Sequence, residues 1–335
     1  MTLSPLPPNS WIGILGGGQL GRMAALAAAP LGYRIHIFTP ETDSPASQVA
    51  ARTTVAAFDD HSALSAFAAQ VDVVTLEFEN IPTAAVEIIQ QHAPVFPGAT
   101  ALRVAQHRAV EKQTADNFGL SPVPWRAVTN LDELEKAVTV LGLPAVLKTA
   151  RLGYDGKGQI VIRTGDDLGA VWQQLDSDDA VLEAFIALES EISVIIGRDR
   201  HGNTAAYPPG ENHHENQILA TTTVPAGLEQ AIQDNAIKQA TALAEALDYV
   251  GVLGVEFFIA QDGQLYFNEM APRPHNSGHW TQDAAITSQF EQQIRAVSGL
   301  PLGPVTLRCP VVMENLLGAT PDRINAANAH ADGKL

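Results

Sequence analysis

Apolar and polar positions alternate in two rhythms over the first hundred residues. Short apolar runs at 11–15, 34–38 and 71–76 read as strands. Between them, the Ala-rich stretch 19–29 and the segments 61–70 and 82–92 read as helices, the last with proline in its first turn. Strands alternating with helices predict a parallel sheet wound by crossovers. Residues 99–118 read as one further helix, ended by Gly119.

The rhythm changes after Ser121. Asn130 caps a predicted helix through Leu141, with Glu133 completing a capping box. A strand at 145–149, a glycine-rich turn at 153–158, a strand at 159–163, a helix near 166–174 and a strand at 180–185 make a small α+β unit. From about Glu189, strands at 192–197 and 204–207 lead into a long helix. Its apolar face carries Leu228, Ile232, Ala236, Ala240, Leu243 and Leu247, and a hairpin follows. The expected fold is therefore α/β followed by α+β, with domains at 1–104, 105–187 and 188–335. After Arg295 the pattern weakens.

Charge narrows the partners. Twenty Lys and Arg stand against 37 Asp and Glu, a formal net charge of −17. Such an excess disfavours a sequence-independent nucleic-acid surface or an anionic membrane surface, but leaves room for a local cationic pocket that takes a small phosphorylated ligand. Cys309 is the one cysteine, which fits a reducing compartment. There is no apolar run of about 18–20 residues, as a membrane span requires, and the proline-rich start lacks a basic n-region. The expectation is a cytoplasmic protein.

Gly16, Gly18 and Gly21 follow a strand and open a helix, where glycine lets a ligand approach the backbone and the helix end offers free N–H groups. Glu41 stands where a ribose-binding acid of a dinucleotide site belongs. This loop admits three readings: a dinucleotide site, a site for another ligand, or a purely structural turn.

The later hairpin is more informative. Asp262-Gly263 is a two-residue turn signal, and with that loop Glu256 faces Glu269 across the strands. Facing like charges are destabilising unless a cation lies between them. Two carboxylates beside Asn268 suit a hard divalent ion. The alternatives are a shared proton, or arginine partners such as Arg273. Lys148 sits within an apolar strand, so its ammonium calls for an anion. Gly153, Gly156, Gly158 and Lys157 in the next turn suit a loop that folds over phosphate, or an ordinary hairpin. The segment from Glu183 to Ile186 links two units, where its backbone could meet a purine edge and Glu191 could accept ribose hydroxyls, although a plain linker reads equally well. Arg273, His275, Asn276 and His279 share a polar loop directly after the carboxylate strand, a place for an anionic substrate.

Taken together, the segments 16–23, 77–80, 148–159, 211–214 and 268–280 resemble the N5-carboxyaminoimidazole ribonucleotide synthetase family of the ATP-grasp superfamily, which acts in purine biosynthesis. The resemblance runs from Trp11 to about Gly318. It implies a three-domain architecture: an N-terminal parallel-sheet domain, a small lid and a C-terminal antiparallel-sheet domain. It also implies ATP and Mg²⁺ as cofactors, 5-aminoimidazole ribonucleotide and bicarbonate as substrates, and a homodimer. By position, the ATP contacts would be Arg108, Lys148, Gly153, Tyr154, Asp155, Gly156, Lys157, Gly158, Gln159, Glu183, Ala184, Phe185, Ile186, Glu191, His214, Asn268 and Glu269. Glu256 and Glu269 would be the metal ligands. Gln19, Leu20, Glu77, Tyr154, Arg273, His275 and Asn276 would contact the ribonucleotide, with Arg273 and Lys148 in catalytic roles. The glycine loop would then serve the ribonucleotide rather than a dinucleotide. Family members usually carry, beyond the position of Leu335, a Lys/Arg-rich segment that contacts the substrate phosphate, and Lys334 would be its first trace. Formate- or amino-acid-dependent ligases of the same superfamily, a dinucleotide-dependent oxidoreductase and a non-catalytic nucleotide sensor are the competing readings.

Overall fold

The computed structural model describes residues 4–152, 158–316 and 318. The N-terminal part runs β1 (Trp11–Leu15), α1 (Gln19–Ala28), β2 (Arg34–Thr39), β3 (Arg52–Val55), α2 (His61–Ala68), β4 (Val73–Leu76) and α3 (Thr83–Ile89). Its strands form a parallel sheet, as the alternation predicts, and their order is β3-β2-β1-β4. β3 was not expected: Arg-Thr-Thr-Val has no apolar alternation, and as an edge strand it needs none.

The single helix expected over 99–118 is two, α4 (Ala99–Ala105) and α5 (Arg108–Asn117). At the break, the Gln106 side chain donates to the carbonyls of Glu79 and Ile81, and the Arg108 N–H donates to the Ala150 carbonyl. These bonds outcompete one more helical turn and re-aim α5.

The lid comprises β5 (Trp125–Val128), α6 (Leu131–Leu141), β6 (Ala145–Thr149), β7 (Gln159–Ile162), α7 (Leu168–Leu175) and β8 (Ala180–Ala184). Its antiparallel sheet runs β5-β8-β6-β7 and packs on both helices around Leu134, Leu147, Val171 and Leu182. Asn130 caps α6 by accepting from the Glu133 N–H, as expected.

The remaining elements are β9 (Leu188–Arg198), β10 (Thr204–Ala206), β11 (Gly210–Glu215), β12 (Ile218–Val224), α8 (Gln230–Ala246), β13 (Gly251–Ala260), β14 (Leu265–Ala271), α9 (Thr281–Ala284), α10 (Gln289–Ser298) and β15 (Val311–Glu314). The large antiparallel sheet runs β14-β13-β9-β11-β12-β15, with β10 on β9. Its core joins Ala236, Ala240 and Leu243 of α8 to Ala115 of α5 and Phe257 and Phe267 of the hairpin. β11 is too polar to be read from periodicity and is held by its neighbours β9 and β12. Helix α10, not expected from the sequence, packs Ile294 and Val297 into the core of the N-terminal sheet, and buried Gln293 donates to Thr75. Among the described residues no helix is long and apolar enough to cross a membrane.

Candidate active site

The glycine loop leaves β1 at Gly16 with φ +107°, where a Cβ would lie 2.4 Å from Glu77 Cγ. Glu77 follows β4 and turns its carboxylate into the mouth of α1, accepting from the N–H groups of Gly18 and Gly21. Burial pushes its carboxyl above the usual range despite those bonds. A pyrophosphate would meet a carboxylate at this helix end, so the dinucleotide reading is set aside. Glu41 is exposed, its N–H bonded to Thr39 Oγ1. Gln19 and Leu20 form the first turn of α1 at the rim of this loop.

Glu256 and Glu269 face each other across β13 and β14, but by a different route from the expected one. Ile259 pairs with Leu265 and Phe257 with Phe267, while Ala260 donates to the Gln264 carbonyl. The loop therefore has three residues, Gln261, Asp262 and Gly263, the last at φ +79°. That extra residue shifts the register by one. A bulge at Asn268, between the Phe257 and Glu256 pairs, shifts it back. The two irregularities cancel, and the carboxylates meet.

Their electrostatics are unequal. Burial and the neighbouring Glu269 push Glu256 up to about 8. Burial acts on Glu269 in the same direction, but Arg108 and Lys148 outweigh it and hold that carboxyl below its usual range. Arg108 Nη1 donates to Glu269 Oε2 at 3.1 Å. The arginine partner is thus Arg108, not Arg273. Arg273 is gripped by Glu79, with Nη2 to Oε1 at 3.0 Å and Nε to Oε2. His275 Nε2 lies 3.5 Å from Glu256 Oε1, and burial followed by Arg273 lowers the ring to about 3, so it is neutral. Asn276 opens the short turn that follows.

Lys148 does find an anion. Its Nζ donates to Glu183 Oε2 at 2.7 Å. The other oxygen, Oε1, lies 2.9 Å from Lys112 Nζ, a close ion contact outside hydrogen-bond geometry. Burial would raise the Glu183 carboxyl, yet the two ammoniums bring it down to about 2. Beyond it, the Ala184 and Phe185 N–H groups donate to the carbonyls of Pro124 and Pro144, and the Phe185 ring is exposed, next to Ile186. Glu191 Oε2 lies 3.0 Å from His214 Nδ1, a contact that raises the imidazole. Gln159, at the lid edge beside Gly158, donates to Gln217 Oε1 at 2.6 Å. Gly153, Tyr154, Asp155, Gly156, Lys157 and Lys334 lie outside the described residues.

Lys112, Glu79, Glu111 and Arg151 were missed in the sequence. The first had a signal: Arg108 and Lys112 place like charges four apart on one helix, a disfavoured spacing that calls for separate anions. Glu79, Arg108, Glu111, Arg151 and Glu269 line a cleft of about 70 Å³.

The ribonucleotide synthetase preATP-grasp domain matches residues 10–106, and the ATP-grasp domain matches residues 113–290. The N5-carboxyaminoimidazole ribonucleotide synthase of Brucella melitensis is 48% identical over 328 residues, 97% of this chain and 91% of that protein. The chain belongs to the N5-carboxyaminoimidazole ribonucleotide synthase family. Within that family, an ADP complex superposes with a TM-score of 0.93 at 43% identity, covering 99% of this chain and 90% of the other. The Aspergillus clavatus synthase in complex with ADP and 5-aminoimidazole ribonucleotide gives 0.88 at 30% identity, covering 96% and 86%.

Proposed function

We propose that this synthase-family chain is an ATP-dependent carbon–nitrogen ligase. It carboxylates the exocyclic amine of 5-aminoimidazole ribonucleotide with bicarbonate, yielding N5-carboxyaminoimidazole ribonucleotide, ADP and phosphate. The observation that carries this reading is the facing Glu256–Glu269 pair, with Arg108, Lys148 and Arg273 close enough to act on it electrostatically. The donor set fits Mg²⁺: two facing carboxylates with Asn268 beside Glu269 in sequence, and Glu256 pushed up to about 8 by burial and by its neighbour Glu269. When bound, that ion supplies charge neutralisation for the triphosphate.

The chain's own groups account for the rest. A bicarbonate oxygen attacks the γ-phosphorus, the bond to ADP breaks and carboxyphosphate forms. The amine nitrogen then takes the carboxyl group, through transient CO₂, as phosphate leaves and the amine loses a proton. Phosphoryl transfer of this kind depends on charge placement rather than on a covalent nucleophile. Lys148 and Arg108 offset the phosphate charge, and Arg273, oriented by Glu79, holds the bicarbonate. Glu77, Gln19, Leu20, His275 and Asn276 contact the ribonucleotide. The backbone of Glu183 to Ile186, with Glu191, His214 and Gln159, encloses the nucleotide, while the Glu183 side chain holds Lys148 rather than the nucleotide, and the 153–158 turn, with Tyr154 and Lys157, excludes water that would destroy carboxyphosphate. The reading includes a cytoplasmic homodimer.

ATP hydrolysis that rises only when bicarbonate and aminoimidazole ribonucleotide are both present is the expected result. Stimulation by formate or an amino acid instead would move the chain to another ligase class, and oxidation of NADH would overturn the reading.

A further inference from the structure

Lys112 lies on α5, between the lid and the carboxylate hairpin. Its side chain is fully buried, and its Nζ meets Glu183 Oε1 at 2.9 Å. On the opposite oxygen of the same carboxylate sits Lys148 at 2.7 Å. Two ammoniums sharing one carboxylate leave the cluster with one surplus positive charge. A lone Lys148–Glu183 pair would be neutral, with the carboxylate competing against any phosphate for the Lys148 ammonium. Burying a second ammonium is costly, and a hydrophobic side chain would fill the same space more cheaply if packing were its only task. The preceding residue on α5, the buried Glu111, accepts the Met270 N–H, so the helix is fixed to β14 while Lys112 reaches the lid sheet.

We propose that Lys112 is a positioning residue for nucleotide binding: by occupying Glu183 Oε1 it offsets the carboxylate, so that Lys148 presents a net positive charge to the triphosphate. The inference rests on Lys148 being a phosphate contact. Lys112 itself does not touch the nucleotide.

Charge compensation distinguishes this role from a packing role. In full-length protein, Lys112→Met makes the cluster neutral, and ADP affinity by calorimetry falls about tenfold or more, as expected for one lost charge in a shielded site. Lys112→Met combined with Glu183→Gln restores the surplus charge, and affinity returns to within about threefold of the parent. A single variant that binds as the parent does, or a double variant no tighter than the single, overturns the proposal. If Lys112→Met does not fold by circular dichroism, the double variant decides alone. Near-parental affinity then supports the proposal and a tenfold loss overturns it. Lys148→Ala is the control: unchanged ADP affinity there overturns the phosphate role of Lys148 and this inference with it, whereas a loss there with no loss in Lys112→Met overturns only the inference.

Discussion

Two regions of this chain advertise phosphate binding, and they resolve the advertisement in opposite ways. At the N-terminal loop the glycines and the helix end turn their N–H groups onto Glu77, an anion of the chain itself. At the lid, Lys148 and Lys112 divide Glu183 between them and keep positive charge in reserve. The first arrangement suits a ligand that brings hydroxyls or other donors, the second a polyanion. A glycine pattern therefore sets how closely a ligand can approach, and the balance of charge behind it sets which ligand comes.

The contrast can be broken in order of expected effect. Glu269→Gln should lower kcat by on the order of 10³-fold with an unchanged circular dichroism spectrum, because the facing carboxylate pair is lost at the site of phosphoryl transfer. Steady-state turnover within tenfold of the parent would remove the metal-binding role of the pair. Lys148→Ala should weaken ADP by about 10²-fold, since it also leaves Glu183 with one partner fewer. An unchanged dissociation constant would mean the two regions do not differ as argued.

Gly16→Ala should act on the other region alone. A Cβ there meets Glu77, and the backbone is left-handed, so the variant loses about 1–3 kcal/mol of stability in urea melts and raises the KM for the ribonucleotide. Its ADP affinity should stay within about twofold, and a tenfold loss would contradict the separation.

The smallest effect at neutral pH is an acid sensitivity in the N-terminal sheet. Burial and then Arg52 lower His36 from 6.5 to about 4, so the folded state holds it neutral. Between those values the unfolded chain binds more protons. The stability His36 contributes is therefore full above pH 6.5 and is lost as pH falls through 4, by at most about 1.4 kcal/mol per pH unit. His36→Gln should flatten that part of the stability profile, and an unaltered slope between pH 6.5 and 4 would refute the assignment.

Much of this was legible in the sequence wherever side chains announce their surroundings. The parallel N-terminal sheet follows from alternation, though not its strand order or its edge strand β3, and the facing of Glu256 and Glu269 follows from a turn signal. Yet the turn was assigned one residue too few, and the pair still met because a bulge at Asn268 offset it. Asp-Gly marks a reversal but does not count its residues. Lys112 and Glu79 escaped notice because their partners lie far along the chain, at Glu183 and Arg273, where only packing brings them together. β11 and α10 were missed for a related reason: polar residues there are satisfied by distant backbone and side chains rather than by solvent.

The cancelling irregularities of the hairpin make its tip a ruler. Hairpin tips ordinarily drift in length at little cost, because nothing downstream depends on them. Here a variant that drops one tip residue but keeps the kink at Asn268 slides β14 by one step against β13, and every side chain beyond exchanges one sheet face for the other. Glu269 would then leave the cleft altogether, displaced by a deletion about 17 Å along the strand.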